Sequence, residues 1–317
     1  MIQVINDTIQ EAVSIVKRKK ARNYKLQEPD YTAALAIELP RLLNEKKNDF
    51  PNITFGGCFI HQSPKVTFNM PRVGESCCEL ADLLVLVRKQ TNDIPRYNAA
   101  LIQLKKSEKS PFNLTNRGDL KQLYLFEKWP KFIMTSTYLQ YDLLPKAVTQ
   151  GALYCIIKRT PEFMLYMAEP MERMEYSGEM TFGRFICDTI HWQTGRTISD
   201  EANKNSDEWS RLIWDLIQNV QNKVINEGKF TRTKAGYDEA NKLSNDFMAF
   251  MLKSNIDSAI PANEAQTLHD TTKKDPSIDG GTPSKEGMII GDNEGTGISI
   301  LFIDIDERKN RGELRRR

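Results

Sequence analysis

ELADLLVLVR at residues 79–88 and NAALIQLKKS at 98–107 decide how this chain folds. Residues 83–87 are an unbroken Leu/Val run, the pattern of a strand covered on both faces. Thr91-Asn92-Asp93-Ile94-Pro95 interrupts the pattern and reads as a turn. Residues 100–105 read as a second strand. Both runs carry polar groups that a fully covered strand does not normally hold: Asp82 at the head of the first, Gln103 and Lys105 in the second. Residues two apart on a strand share a face. Gln103 and Lys105 therefore point the same way, and pairing of the two strands sets Asp82 opposite them.

Working outward, Ile5, Ile9, Ala12 and Ile15-Val16 recur at helical spacing within the first twenty residues. Residues 31–46 form a second helical segment despite Pro40. Residues 56–59 and 65–70 read as short strands. A polar loop over 107–118 leads to a helix at 119–128 that opens on Asp119, an acid suited to the positive end of the helix dipole. Strands are expected at 132–136, 152–157 and 163–167, and helices at 181–192 and 207–226. In the last of these, Trp209, Leu212, Ile213, Leu216, Ile217 and Val220 make one apolar stripe. Residues 258–296 are dominated by Pro, Gly, Ser, Thr, Asp and Lys and read as a linker or long loop. The run GISILFIDI at 297–305 then reads as a strand that returns to a sheet. The expected fold is α/β, a mixed central sheet flanked by helices. N-terminal helices and the core occupy 1–160, a mainly helical extension 161–257, and a strand with a basic tail 297–317.

Composition narrows the function. The 317 residues are 40% hydrophobic and 27% charged, enough for a sizeable core, with a formal net charge of +2. So mild a balance leaves any affinity for nucleic acid to local patches. Three stand out: Lys17 to Lys20 with Arg22 and Lys25; Lys105, Lys106 and Lys109 with Arg117 and Lys121; and Arg308, Lys309 and Arg311 with Arg315 to Arg317. Each also reads as an ordinary solvated face. The five cysteines, at 58, 77, 78, 155 and 187, are too irregular for a disulfide framework, and no CxxC supports a structural zinc site. Reduced thiols, the lack of a signal-peptide layout and the lack of a long apolar run point to a cytoplasmic protein with no membrane segment. His61, His191 and His269 are isolated. Neither GxSxG nor GxxxxGK[ST] occurs, which argues against a serine-hydrolase elbow and a P-loop.

Hydrolysis of a phosphodiester needs an activated water, charge neutralisation at phosphorus and help for the leaving oxygen. A Mg²⁺ ion on hard oxygen ligands beside a lysine can meet those needs. Asp82 offers a carboxylate, Gln103 an amide oxygen, and Leu104 a backbone carbonyl. On these residues the chain resembles the PD-(D/E)xK nuclease superfamily, the restriction-endonuclease-like fold. Asp82 precedes the Leu83 to Val87 run, and Gln103-Leu104-Lys105 stands as its Gln-x-Lys variant, as in Mrr-like and anti-phage defence nucleases. The resemblance covers roughly 30–160 and departs from the commoner pattern in having Gln103 where a second acid is usual.

That resemblance implies a Mg²⁺- or Mn²⁺-dependent endonuclease acting on DNA, with RNA not distinguished. Asp82, Glu38 and Gln103 would hold the metal, and Lys105 would position water and stabilise charge. Gln122, with Tyr124 near it, is similar to the glutamine many members carry on the following helix. Glu79 and Glu75 are alternative acids, and Lys106, Lys109, Arg117 and Lys121 would meet the phosphate backbone. The implied setting is antiviral defence, with an ATPase or helicase subunit as partner or with self-assembly into a homo-oligomer. Each residue also has a structural reading: Asp82 as a strand-end acid, Lys105 as an exposed strand end, Glu38 as a solvated helix acid, Gln122 as a surface glutamine. The rival function is a nuclease-fold protein without catalysis that serves as a nucleic-acid-binding or scaffold subunit.

Overall fold

A computed structural model of the protein describes residues 1–20, 23–60, 64–91, 95–144, 151–159, 163–174, 180–221 and 297–308. Helix α1 (Ile2–Arg18) buries Ile5, Ile9, Ala12, Val13 and Val16. Helix α2 (Glu28–Ala33) starts from a capping box in which Asp30 Oδ2 accepts from Gln27 N at 2.7 Å. It passes through a π turn at Ala34–Glu38 into α3 (Leu39–Glu45). Pro40 accounts for that turn. It has no N–H for the carbonyl of Ala36, and its ring crowds that carbonyl, so the helix widens locally. Strand β1 (Ile53–Cys58) runs against this turn so closely that a Cβ on Gly57 would lie 2.1 Å from the Ala36 oxygen. Only glycine fits there.

The chain continues as β2 (Lys65–Met70), β3 (Gly74–Glu79), β4 (Leu83–Gln90), β5 (Arg96–Lys106), β6 (Phe112–Asn113), α4 (Arg117–Lys128), β7 (Phe132–Met134), β8 (Gln140–Tyr141), β9 (Ala152–Lys158), β10 (Met164–Ala168), β11 (Arg173–Met174), α5 (Phe182–Ile190), β12 (Arg196–Ile198), a 3-10 turn at Glu201–Ser206, α6 (Glu208–Gln221) and β13 (Ser299–Asp306). The central sheet has the order β1-β13-β4-β5-β9-β10, with β12 beside the first residues of β5. β4 and β5 are antiparallel, Leu83 opposite Ile102. β5 and β9 are parallel, and α4 lies in the long connection that a parallel pair requires. β13 is parallel to β4 and antiparallel to β1, so the strand nearest the C-terminus lies inside the sheet. Its Ile300, Leu301, Phe302 and Ile303 are all buried, each side chain contributing about 1.5–3 kcal/mol. A separate four-stranded sheet has the order β3-β2-β7-β8.

The two faces of the central sheet are packed differently. Residues of α1, α2, α3 and α5 cover Leu83, Val85, Val87, Ile102 and Leu104 on one face. Residues of α4 and α6 cover Leu84, Leu86, Leu101 and Ile156 on the other. On that second face Trp129 and Trp209 meet edge to face at 6.0 Å. A mixed sheet flanked by helices is thus the observed architecture. The second helix begins at Glu28, a turn earlier than its apolar pattern suggests. β3, β8 and β12 carry no apolar alternation, and GESCCE in β3 exposes most of its residues. Residues 92–94, 222–226 and 258–296 lie outside the described residues, as do Arg22, His61, His269 and the tail from Lys309. All five cysteines are free thiols, and no described helix is long and apolar enough to cross a membrane.

Candidate active site

The β4–β5 hairpin brings Asp82 and Gln103 together. Asp82 N donates to Ile102 O at 3.0 Å just before β4 begins. The side chain of Asp82 then replaces the next ladder acceptor. Its Oδ2 accepts from Leu104 N at 2.7 Å and from Gln103 Nε2 at 2.5 Å. Gln103 Oε1 accepts from Gln122 Nε2, and the same nitrogen donates to Glu79 O at 3.2 Å. The chain of bonds has a fixed sense. The Glu79 carbonyl only accepts and the Leu104 amide only donates, so both glutamine amides are oriented. Gln103 and Gln122 are buried, and Asp82 is half-buried. Desolvation pushes the Asp82 carboxyl from 3.8 up to about 7; the Leu104 amide and Lys105 oppose the shift, while Glu79 and Glu28 add to it.

Lys105 lies on the same face, two residues beyond Gln103. Its Nζ pairs with Asp119 Oδ1 at 2.8 Å, the two side chains 16% and 14% exposed, so the pair is largely withdrawn from water. Burial works against the ammonium charge. The hydrogen bond and field of Asp119, with Glu28 and Asp82, outweigh it and hold Lys105 above its ordinary range. Lys105 is therefore a cation suited to neutralising charge, not a base. Asp119 is placed by the start of α4, where its N–H bonds Asn116 Oδ1 at 2.8 Å and its Oδ2 accepts from the Asn116 amide.

Glu38 is not part of this group. It is buried in the π turn, where it pairs with Lys19 at 2.8 Å and Arg41 at 3.2 Å. The helix acid that acts on both Asp82 and Lys105 is Glu28, ten residues and about 15 Å of helix away from Glu38. Glu28 Oε1 accepts from Lys106 N at 3.2 Å, which ties the start of α2 to the end of β5. Two signals in the sequence mark it: Gln27 with Asp30 three residues on, and Pro29 in the first turn, together a helix start. Asp119 is marked likewise by Asn116, although its pairing with Lys105 is set by the tertiary structure. Tyr154 carried no signal. It is opposite Gln103 in the β5–β9 register, fully buried, and its hydroxyl has no hydrogen-bond partner among the described residues.

The other candidates are dispersed. Glu79 and Glu75 are exposed on β3, Glu79 contributing its carbonyl to Gln122. Cys78 beside it is pushed up to about 12 by burial. Lys106 Nζ donates to Gln27 Oε1 at 2.5 Å. Lys109 and Arg117 are exposed, Lys121 and Tyr124 half-buried. Tyr124 stacks on Phe68 at 6.1 Å and is a packing residue.

No three His, Cys, Asp or Glu side chains among the described residues stand together as a ready metal cage. The donors present suit a different arrangement. Asp82 Oδ1 accepts no hydrogen bond from any described residue. A residue on a strand directs its N–H and C=O to the same side, so the Leu104 carbonyl faces the gap beyond the start of β4, as its amide does. With Glu28 these are hard oxygens of the kind Mg²⁺ takes while keeping several waters. Gln103 does not offer its amide oxygen, which is committed to Gln122. Compared with known proteins, the chain matches no family model, no curated protein and no solved structure.

Proposed function

We propose that the protein is a metal-dependent nuclease that hydrolyses phosphodiester bonds in DNA at the site around Asp82 and Lys105. The observation that carries this reading is the pairing, on one sheet face, of a carboxylate with an uncommitted oxygen and a lysine held as a cation. Asp82 Oδ1, the Leu104 carbonyl and Glu28 would hold a divalent ion, which when bound polarises a phosphoryl oxygen and lowers the pKa of water. Gln103, oriented by Gln122, and the Leu104 amide hold Asp82 Oδ2, which leaves Oδ1 as the oxygen this residue would offer to the ion. Lys105 neutralises charge as it develops on the phosphoryl oxygens. Lys109 and Arg117, both exposed, would meet backbone phosphates, which would make binding fall as salt rises.

One observation favours the rival reading, a nuclease-fold scaffold. Asp82 completes the sheet ladder for Leu104, a structural task that a non-catalytic protein would also need. Cleavage of plasmid and linear DNA in Mg²⁺, Mn²⁺ or EDTA separates the two, run beside Asp82→Ala and Lys105→Ala proteins of verified fold. Metal-dependent cutting that disappears in both variants is the expected result. Cutting that survives both, or none under any condition, would sink the assignment.

A further inference from the structure

In the folded chain the cation at this site already has an anion. Lys105 Nζ and Asp119 Oδ1 are 2.8 Å apart, and both side chains are mostly shielded from water. A carboxylate oxygen at that distance takes the position and the donor hydrogens that a phosphate oxygen would take. Both cannot stay: two anions on one shielded ammonium repel each other strongly where the local dielectric is low. Asp119 also has somewhere to retreat. Its Oδ2 is held by the Asn116 side chain at the start of α4, and Asn116 is exposed. A carboxylate released from Lys105 keeps that partner and the favourable end of the helix dipole.

We propose that Asp119 is a built-in stand-in for substrate phosphate, a latch that keeps Lys105 occupied until a phosphodiester displaces it. The inference rests on the nuclease reading of the same site and adds a residue to it. The latch lowers affinity for stray phosphates and makes entry at Lys105 conditional on what the rest of the substrate contributes, for instance through Lys109 and Arg117, exposed cations that follow it in the sequence. Asp119 is thus a gating residue, and its removal should strengthen binding where loss of an ordinary positioning residue would weaken it.

The test is a double-mutant cycle on the full-length protein, read as the Kd of a fluorescent DNA oligonucleotide by anisotropy in EDTA, where no cutting occurs. The proteins are wild type, Asp119→Asn, Lys105→Ala and the double variant. Asn at 119 keeps the Asn116 contact, and Asp119→Ser serves as a second form should the first disturb α4. Asp119→Asn should tighten binding about five- to tenfold, and by no more than about twofold when Lys105 is absent. Equal tightening in both backgrounds would mean a general charge effect and would overturn the latch, as would unchanged or weaker binding. Cleavage in Mg²⁺ is scored separately. Tightening that depends on Lys105 without cutting by any protein would keep the latch and sink the nuclease reading. Cutting by wild type with no tightening in Asp119→Asn would do the reverse.

Discussion

Strand β4 ends in two clusters of the same chemistry that are satisfied to very different degrees. At its C-terminal end, Asp304 on the neighbouring β13 accepts from Arg88 on both oxygens, at 2.9 and 2.7 Å, and from Gln90 at 3.2 and 3.1 Å. At its N-terminal end, Asp82 also meets a glutamine and lies near a cation, but only one of its oxygens is used among the described residues, and the cation is held by another acid. The first arrangement is a rivet between parallel strands: a bidentate pair with every acceptor engaged. The second leaves a carboxyl with its acidity suppressed and an oxygen to spare. A folded chain that tolerates such a deficit at one end of a strand, while avoiding it at the other, makes the deficient end the candidate site.

The largest expected effect breaks the symmetry outright. Lys105→Ala should lower metal-dependent cutting by at least about 100-fold at a smaller stability cost, about 1 kcal/mol, because Asp119, though only 14% exposed, keeps the Asn116 amide and the N-terminal end of α4. Asp304→Ala should do the opposite. It leaves Arg88, only 12% exposed at its side chain, without its bidentate partner, and should cost about 2 kcal/mol while cutting per folded molecule stays intact. Cleavage rates beside urea unfolding curves would check both. Equal loss of stability in the two variants would erase the distinction between the clusters.

The second effect concerns pH. The Asp82 carboxyl in the folded protein sits at about 7, against an ordinary value of 3.8. A raised carboxyl pKa stabilises the fold fully below the ordinary value, and that contribution is lost as pH rises toward the folded one. Asp82→Asn does not titrate and keeps an oxygen for Leu104 and Gln103. In EDTA the variant should therefore gain on wild type between pH 4 and pH 7 and hold its advantage above. The full shift would allow about 4 kcal/mol; for a half-buried group on the order of 2 kcal/mol is expected. Melting temperatures that track each other across this range would mean that Asp82 is not strained in the fold.

A smaller effect separates the two helix acids. Glu28→Gln should raise the Mn²⁺ concentration for half-maximal cutting about three- to tenfold, because its charge acts on Asp82 and Lys105. Glu38→Gln should leave that concentration unchanged and lower stability by about 1 kcal/mol, since its partners Lys19 and Arg41 are well exposed. The reverse pattern would return Glu38 to the site.

These two acids also show where the sequence can and cannot be read. Although a run apolar on both faces leaves the register to the tertiary structure, strands β4 and β5 and the common face of Gln103 and Lys105 follow from periodicity. The helix acid does not. Glu38 lies among the apolar residues of its helix and draws the eye, but periodicity says nothing about how a helix is set along a sheet. Pro40 and the π turn it causes shift the phase of everything before them. Strand β3 escaped because it pairs mainly through its backbone. The partner of Lys105 escaped because an acid in a first helical turn has a sufficient local reason to be there.

The smallest expected effect tests the glutamine relay. Gln122→Ala removes the donor that fixes Gln103 Oε1 and the partner of the Glu79 carbonyl. A buried amide left without its donor costs about 1–2 kcal/mol, read as a lower urea midpoint. In the same variant Gln103 is released to turn, so its oxygen gains access to the Asp82 side and its hold on Oδ2 loosens. If the site works by presenting a fixed Oδ1, cutting should drop a few-fold with an unchanged pattern of metal preference. If cutting rises instead, the glutamine oxygen serves as a ligand once freed, and the relay restrains the site in the way inferred for Asp119. Either outcome locates the restraint in α4, the helix that contributes both Asp119 and Gln122 to an otherwise sheet-built site.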